Sequence, residues 1–393
     1  MKYILEIGRF EDIALAEMKS VLGEDALKYL SGRYLYVETD KVLDQSWIDG
    51  VGSIIGVFEV VSVAKEEIGK KKVVDSFMQI SDETVFGKGH IFFESNYLQY
   101  QDRRKVLTES KKLMSKSNIK VKYRFNWSTA AIWQDGWPEN IVALKALKFR
   151  SEYFLLKLIA VQDINAYSKR DAGKPYRDAV LGMLPPKLSQ TMINVGLDGR
   201  TVEDVLVMDP FCGTGTVLIE GQLKGIKVRG SDIQQRNVDG TVKNMSKFFD
   251  GPFDVFKADA RSLSEEAVGD VGLFVTEGYL GVPKRGHEPI EDMKKESKEI
   301  ERLALDFLRN LKDKKSNESY VVVMCLPVYA IGKRGDKIFM KKIVEKVEDL
   351  GYIVSTLLPA KLIRGNKDKC SLLYGRSDQY VYRQIYRLEY NPG

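Results

Sequence analysis

The chain has 393 residues, 44% hydrophobic and 30% charged, a composition that excludes a disordered or fibrous protein and has room for two or three ordinary domains. Its three cysteines, Cys212, Cys325 and Cys370, form no C-x-x-C pair, and its two histidines, His90 and His287, supply little metal or triad chemistry, which argues against a disulfide scaffold or a zinc ribbon. The net charge of +6 is unevenly spread, since residues 101–200 carry 19 Lys or Arg against 9 Asp or Glu; such an excess suits a polyanion, with a solvated basic face as the plainer alternative.

The opening stretch MKYILEIGRFEDIALAEM interrupts its apolar run with acidic residues and does not read as a signal peptide. No segment approaches the roughly 18 consecutive apolar residues of a membrane span, so a cytoplasmic location without membrane contact is expected. Residues 1–65 read as a small α+β unit, with KYILEI as a strand, DIALAEMKSVL at helical spacing, and RYLYVET and GSIIGVFEVVSVA as further strands. A second unit, 66–165, shows HIFFESNY, VKYRF and YFLLKLIAVQDI as strands around the basic amphipathic helix RRKVLTESKKLMSKS. The irregular linker 166–200 then leads into a helix that starts at Pro185 and Pro186 and opens a third unit, 166–393.

From there strand and helix alternate: DVLVMDPF, GTVLIEGQLKG, KVRGSDI, QRNVDGTVKNMSKFF, DVFKADA and VGLFVTEG, followed by ESKEIERLALDFLRNL, SYVVVMCLP, KIFMKKIVEKVEDLG and YIVSTLLPA. The chain closes on CSLLYGRSDQYVYRQIYRLEY, a strand pair around GRSD. The pattern predicts an α/β, doubly wound, mostly parallel sheet with an antiparallel hairpin at its end.

The chemistry concentrates in VLVMDPFCGTGTVLIEG, where a buried strand ends at Asp209 and turns into a helix. Gly213 and Gly215 let backbone approach a ligand at the carboxyl edge of the sheet, and Asp209 is placed to bond near that ligand or to orient the loop. Nineteen residues beyond Gly213 the next strand ends at Asp232, a spacing suited to ribose hydroxyls. Asp259, ending the third strand beside Ala260, is placed to accept from an adenine amine. There is neither G-x-x-x-x-G-K-[ST] nor G-x-G-x-x-G, so an uncharged-linker nucleoside such as S-adenosylmethionine fits better than a triphosphate or dinucleotide. A lone strand-terminal Asp is usually structural; three in order on consecutive strands point to one ligand.

DPFCGTGT resembles the first motif of methyltransferases acting on exocyclic amines of nucleobases. AYSKRDAGKPYRDAVLGMLPPKLSQTMINV, LLYGRSDQYVYRQI and the opening KYILEIGRFEDIALAEMKSVL are similar to segments of the THUMP-containing tRNA guanine-N2 methyltransferases. The resemblance implies a Rossmann-like class I methyltransferase domain preceded by small α+β RNA-binding domains, with 66–165 THUMP-like. It implies S-adenosylmethionine held by Asp209, Phe211, Gly213, Thr214, Gly215, Asp232, Ile233, Asp259 and Ala260, tRNA as partner, and a guanine amine as acceptor. A small activating protein subunit is a further partner compatible with it, and no metal is expected.

That family carries [DN]-P-P-[YF] after its fourth strand, and here GLFVTEGYLG stands in its place. Aligned on the ring, Tyr279 is kept, Thr276 takes the acidic or amide position, and Glu277 is a candidate replacement acceptor and proton remover. Arg170, Lys174, Arg177 and Lys187 flank the expected cleft in sequence as candidate phosphate contacts, some of them alternatively pairing with Asp171 and Asp178. Phe125, Trp127, Trp133 and Trp137 read as core rather than base-stacking residues, and Cys212 as loop packing rather than a nucleophile. Three functions stay open: a tRNA guanine-N2 methyltransferase, an amino-methyltransferase of DNA or rRNA, and a tRNA-binding methyltransferase fold without turnover.

Overall fold

The computed structural model describes residues 1–392 apart from 85–87, 125–126, 178–182, 333–335 and 364–367, with the side chains of 82–84 and 129–130 also left aside. Phe125 and Asp178 therefore lie outside the described residues. Two compact units emerge, one from Met1–Arg9, Asp25–Gly50 and Ile54–Asn165, the other from Phe10–Glu24, Val51–Ser53 and Ala166–Gly393.

In chain order the first elements are β1 (Lys2–Ile7), α1 (Glu11–Leu22), β2 (Leu27–Ser31), β3 (Tyr34–Glu38), α2 (Gln45–Asp49) and β4 (Ile54–Ala64). They are followed by α3 (Lys70–Thr84), β5 (Lys88–Ser95), α4 (Tyr100–Lys116), β6 (Lys120–Arg124), α5 (Thr129–Gln134), β7 (Ile141–Phe149) and β8 (Glu152–Val161). Next come α6 (Ile164–Asp171), α7 (Pro186–Leu197), β9 (Leu206–Asp209), α8 (Thr216–Leu223), β10 (Lys227–Asp232), α9 (Gln235–Met245), β11 (Val255–Lys257), α10 (Glu265–Val268) and β12 (Leu273–Glu277). The last are α11 (Ile290–Lys314), β13 (Tyr320–Ala330), β14 (Lys337–Ile338), α12 (Ile343–Asp349), β15 (Ile353–Val354), β16 (Ser371–Tyr374) and β17 (Val381–Tyr390).

In the first unit eight strands form one sheet ordered β2-β3-β1-β4-β8-β7-β5-β6. The stretches 1–65 and 66–165, expected as separate units, thus share a sheet, because β4 pairs antiparallel with β8 along most of its length. Strand β7 has no clear signature in the sequence: IVALKALKF mixes helix-favouring Ala, Leu and Lys with Ile, Val and Phe and is buried on both faces, so it shows no alternation. Its Lys145 is fully buried, held by Glu6 at 2.7 Å, Glu94 at 3.1 Å and the Tyr34 hydroxyl at 2.9 Å, with the Trp127 ring centroid 4.4 Å away. A buried cation is tolerated only with such partners. Trp127, Trp133 and Trp137 pack against the neighbouring apolar cluster, as core residues do.

The second unit is wound around a sheet ordered β11-β10-β9-β12-β13-β17-β15, which, numbering only the strands of this path from β9, is 3-2-1-4-5-7-6. Strands β11 to β13 of this path pair in parallel, while β17 is antiparallel to β13 and to β15, and β16 completes the terminal hairpin. The α/β doubly wound sheet with a closing antiparallel hairpin is thus what the chain forms. One expected helix is shorter than its sequence pattern: KIFMKKIVEKVEDLG yields a two-residue strand, β14, before α12 begins at Ile343, as Lys337 and Ile338 pair with the end of β13.

Helix α7 begins at the paired prolines as expected, with Pro185 as N-cap and Pro186 in the first turn, and almost all of it is buried. Proline suits that position because the first helical N–H groups have no intrahelical acceptor. Within the same unit the fully buried Glu17 of α1 accepts from Gly52 N at 2.9 Å, Ser53 N at 2.8 Å and Asn194 Nδ2 at 2.6 Å, and from the Ser53 hydroxyl. Glu17 therefore ties α1 and the 51–53 segment to α7. Each buried donor left unpaired costs about 1–3 kcal/mol. Glu17→Ala is expected to lower stability by at least about 3 kcal/mol, read as a lower urea midpoint, whereas Ser53→Ala should cost far less; equal midpoints for Glu17→Ala and the unsubstituted chain would contradict this.

Candidate active site

In the sequence order of an open α/β sheet, ligands bind where neighbouring connections diverge, and here that point lies between β9 and β12. A cavity of about 280 Å³ opens there, near the lower end of the ~300–1,000 Å³ typical of small-molecule sites. Asp209, Phe211, Gly213, Thr214, Asp232, Ile233, Asp259, Ala260, Glu277 and Tyr279 all line it. The residues singled out on four separate strands are thereby brought to one place.

The first wall is the β9–α8 loop. Asp209 ends β9, is buried, and accepts from Phe211 N at 3.0 Å, so it shapes the turn that follows. Burial pushes its carboxyl up to about 7, reinforced by the nearby charges of Asp232 and Glu277 and opposed by Thr276 and Phe211. Gly213 and Gly215 have φ of +52° and +78°, the left-handed region that only glycine enters without strain. At Gly215, the N-cap of α8, a Cβ would also fall 2.8 Å from the Thr241 side chain. Gly215 itself stands behind the lining rather than in it. Cys212 is buried, its thiol pushed up by desolvation and contacted by Thr241 Oγ1 at 3.7 Å, which suits packing and not nucleophilic attack.

The second wall is the end of β10. Asp232 accepts from Gly213 N at 3.1 Å, Gln234 N at 2.8 Å and Asn237 Nδ2 at 3.1 Å. Two of these bonds end on Oδ1 and one on Oδ2, so the carboxylate still has acceptor capacity toward the cavity. Asn237 was not foreseen from the sequence. It lines the cavity from the first turn of α9 and also accepts from the Tyr176 hydroxyl at 2.8 Å, which links the 173–177 segment to Asp232. Asp259, expected as an adenine acceptor, lines the cavity, caps the 260–262 turn through Arg261 N at 2.9 Å and holds the Arg261 guanidinium at 2.6 Å. Arg261 is the partner of its carboxylate, and Ala260 is buried beside it.

The third wall follows β12. Thr276, expected as an acceptor toward the substrate, is fully buried and is not part of the lining, because the pleat of β12 turns it away from Glu277. Its hydroxyl influences the charge on Asp209 without reaching full hydrogen-bond geometry. Glu277 lines the cavity and is ion-paired with Arg383 of β17. Desolvation raises its carboxyl above the usual range, and Arg383 opposes that rise. Tyr279 is 40% exposed at the cavity. Its loop is pinned by Glu296 of α11, which accepts from Val282 N at 2.8 Å and pairs with Lys284, and by the Tyr329 hydroxyl donating to Leu280 O at 3.0 Å.

The expected phosphate contacts divide. Arg177 is exposed. Arg170 instead points inward, its Nε 2.7 Å from the fully buried Glu220 and its guanidinium 4.4 Å from the Tyr167 ring centroid. Lys174 is buried and donates to the Thr216 hydroxyl, and Lys187 is half-buried with its ammonium 5.0 Å from the same Tyr167 ring. Glu220 on the inner face of α8 needs countercharge, and the neighbouring cations of the linker supply it. Among the described residues no group of His, Cys, Asp or Glu could hold a metal ion.

The fold is α/β with Rossmann-like class I methyltransferase architecture. Over its full length the chain resembles the crystal structure of TrmN from Thermus thermophilus, with a TM-score of 0.52 at 13% identity and 100% coverage of both chains. Residues 175–325 match the family described as RMKL-like, methyltransferase domain. Among curated relatives, the chain is 44% identical over 101 residues to the tRNA (guanine(10)-N2)-dimethyltransferase of Methanothermobacter thermautotrophicus, covering 26% of this chain and 29% of that one. The protein of the same name from Methanocaldococcus jannaschii is 30% identical over 153 residues, covering 37% of this chain and 41% of the relative. The chain therefore spans well under half the length of these two relatives. No described helix is long and apolar enough to cross a membrane.

Desolvation lowers Lys174 from 10.5 to about 8, partly offset by Glu220 and Asp171. A lysine whose folded value is depressed destabilises the fold below that value, and the penalty fades as pH rises toward the unfolded value. Relative to Lys174→Met, the unsubstituted chain should gain on the order of 3 kcal/mol of stability between about pH 7 and pH 10.5. Urea unfolding of both proteins across that window checks it, and a constant difference would refute the assignment.

Proposed function

We propose that this chain is an S-adenosylmethionine-dependent methyltransferase that modifies the exocyclic N2 amine of a guanine in tRNA. The observation that carries the reading is the convergence of Asp209, Asp232, Asp259, Glu277 and Tyr279 on one cavity at the point where strand order reverses. The relatives named for guanine(10)-N2 support guanine as the base, and the RMKL-like match supports methyl transfer.

The lining fits the cofactor. Asp232 retains acceptor capacity for ribose hydroxyls, Ile233 offers an exposed apolar surface for the adenine, and Gly213 and Gly215 keep backbone free of side chains at the loop. Asp209 and Phe211 shape that loop, Thr214 and Ala260 close it, and Asp259 with Arg261 borders the far end. When bound, the cofactor supplies an electrophilic methyl group.

The chain's own contribution is positioning. Tyr279 offers a ring on which a base can stack, and Glu277 takes the role of amine acceptor and eventual proton holder that the motif resemblance assigned jointly with Thr276. An amine held in line needs no covalent enzyme intermediate. RNA would be gripped by the first unit, including the THUMP-like 66–165 stretch, and by Arg177, with 166–393 as the catalytic domain; a small activating subunit belongs to the same reading.

Incubation with labelled cofactor and unmodified tRNA, followed by nucleoside mass spectrometry, should show N2-methylated guanosine. Asp232→Ala should weaken cofactor binding about 10- to 100-fold, as loss of a charge-assisted bond does. Tyr279→Ala should lower turnover while leaving cofactor affinity within about twofold. Methylated adenine or cytosine without guanine would replace the substrate, and cofactor binding with no transfer would mean a tRNA-binding protein without turnover.

A further inference from the structure

The proposed site has a further member, inside the closing LLYGRSDQYVYRQI segment, to which the sequence assigns no role. Arg383 lies on β17 opposite Pro327 of β13 and Tyr374 of β16, while Glu277 lies opposite Cys325 of β13. Alternation along β13 puts residues 325 and 327 on one face, so Glu277 and Arg383 share that face, two strands apart. Neighbouring strands are about 4.8 Å apart, so only two long side chains reaching across β13 could meet. They do: the Arg383 Nε donates to Glu277 Oε1, and both side chains are nearly closed off from solvent, at 10% and 13% exposure.

We infer that Arg383 is a positioning residue for the proposed methyl transfer, fixing Glu277 through Oε1 so that Oε2 is presented to the target amine as a carboxylate. The inference rests on the functional reading above. Glu277 lines the cavity, and among the described residues Arg383 is the protein donor recorded on its carboxylate. The groups facing Glu277 are Arg383 from β17, Asp209 from β9, Cys325 from β13 and Tyr374 from β16. Arg383 alone of these is cationic, while Asp209 adds repulsion when ionised. A buried carboxyl so placed would take up a proton without Arg383, and a protonated carboxyl offers the amine a poorer acceptor and no base.

The arginine also explains how the site tolerates the motif change. Thr276 occupies the position of the family's first acceptor but is turned into the sheet, and the carboxylate that replaces it sits one residue later on the opposite face. A longer, more mobile glutamate then needs an external clamp, and a guanidinium supplies direction as well as charge.

The test is methyl transfer from labelled S-adenosylmethionine to unmodified tRNA by the full chain, as a function of pH, with cofactor affinity and thermal midpoint measured in parallel. Arg383→Gln should lower kcat about tenfold or more with cofactor affinity unchanged, and shift the acidic limb of the kcat profile upward by about one pH unit. Arg383→Lys should keep the limb while losing part of kcat, and Glu277→Gln combined with Arg383→Gln should lose no more than Glu277→Gln alone. If Arg383→Gln does not fold, Arg383→Lys and Glu277→Gln carry the comparison, and an unchanged kcat in Arg383→Lys counts against the inference. A folded Arg383→Gln with the original kcat and limb overturns this inference alone. An unsubstituted chain that transfers no methyl group to any RNA overturns the functional reading and this inference with it.

Discussion

Four carboxyl groups, Asp209, Asp232, Asp259 and Glu277, line one cavity, and the local structure follows from how each is accommodated. Like charges in a low-dielectric space cannot all stay ionised without donors. Asp232 is satisfied by two backbone N–H groups and Asn237, Asp259 by Arg261, and Glu277 by Arg383. Glu277 is still pushed upward by burial despite its arginine, and Asp209, with a single backbone donor and no cation, is pushed up to about 7. The αL glycines, the first turn of α9 and the terminal hairpin are thus coupled to the same requirement: they bring donors to carboxylates that the strand ends would otherwise leave crowded.

The hairpin shows why a distant part of the chain belongs to the site. β17 runs antiparallel to β13, so its early residues lie near the carboxyl ends of β12 and β13, which is where the cavity opens. A parallel strand at that position would bring its early residues to the opposite end of the sheet. Reversal of the last strand is therefore what allows Arg383, 106 residues from Glu277 in sequence, to act on it.

Much of this was legible in the sequence because the signals were local. Strand-terminal aspartates on β9, β10 and the end of β11, the glycines between β9 and α8, and the proline start of α7 each announce a geometry within a few residues. What could not be read was whatever depends on side-chain direction or on distant partners. Thr276 and Glu277 are adjacent in sequence, yet the pleat sends one into the sheet and the other to the cavity. Asn237 lies within QRNVDGTVKNMSKFF with no neighbouring signal that ties it to Asp232. Strand β7, with no alternation and a mixture of helix- and strand-favouring residues, has no period to detect. Arg383 sits within the closing LLYGRSDQYVYRQI segment, yet nothing in its neighbourhood points to Glu277, 106 residues away.

The same limit applies to charge. Counting lysines and arginines over residues 101–200 treats each as a surface cation, but burial sorts them. Lys145 is enclosed by Glu6, Glu94 and aromatic rings, Arg170 serves Glu220, and Lys174 lies against Thr216. These cations neutralise or pack the interior and offer little to a phosphate. On α4, by contrast, Arg104, Lys105, Lys112 and Lys116 all remain exposed along one helix. Polyanion attraction depends on charge that solvent can reach. The basic middle of the sequence thus resolves into two populations: inward cations packed against buried carboxylates, hydroxyls and rings, and outward cations on the first unit that solvent can reach.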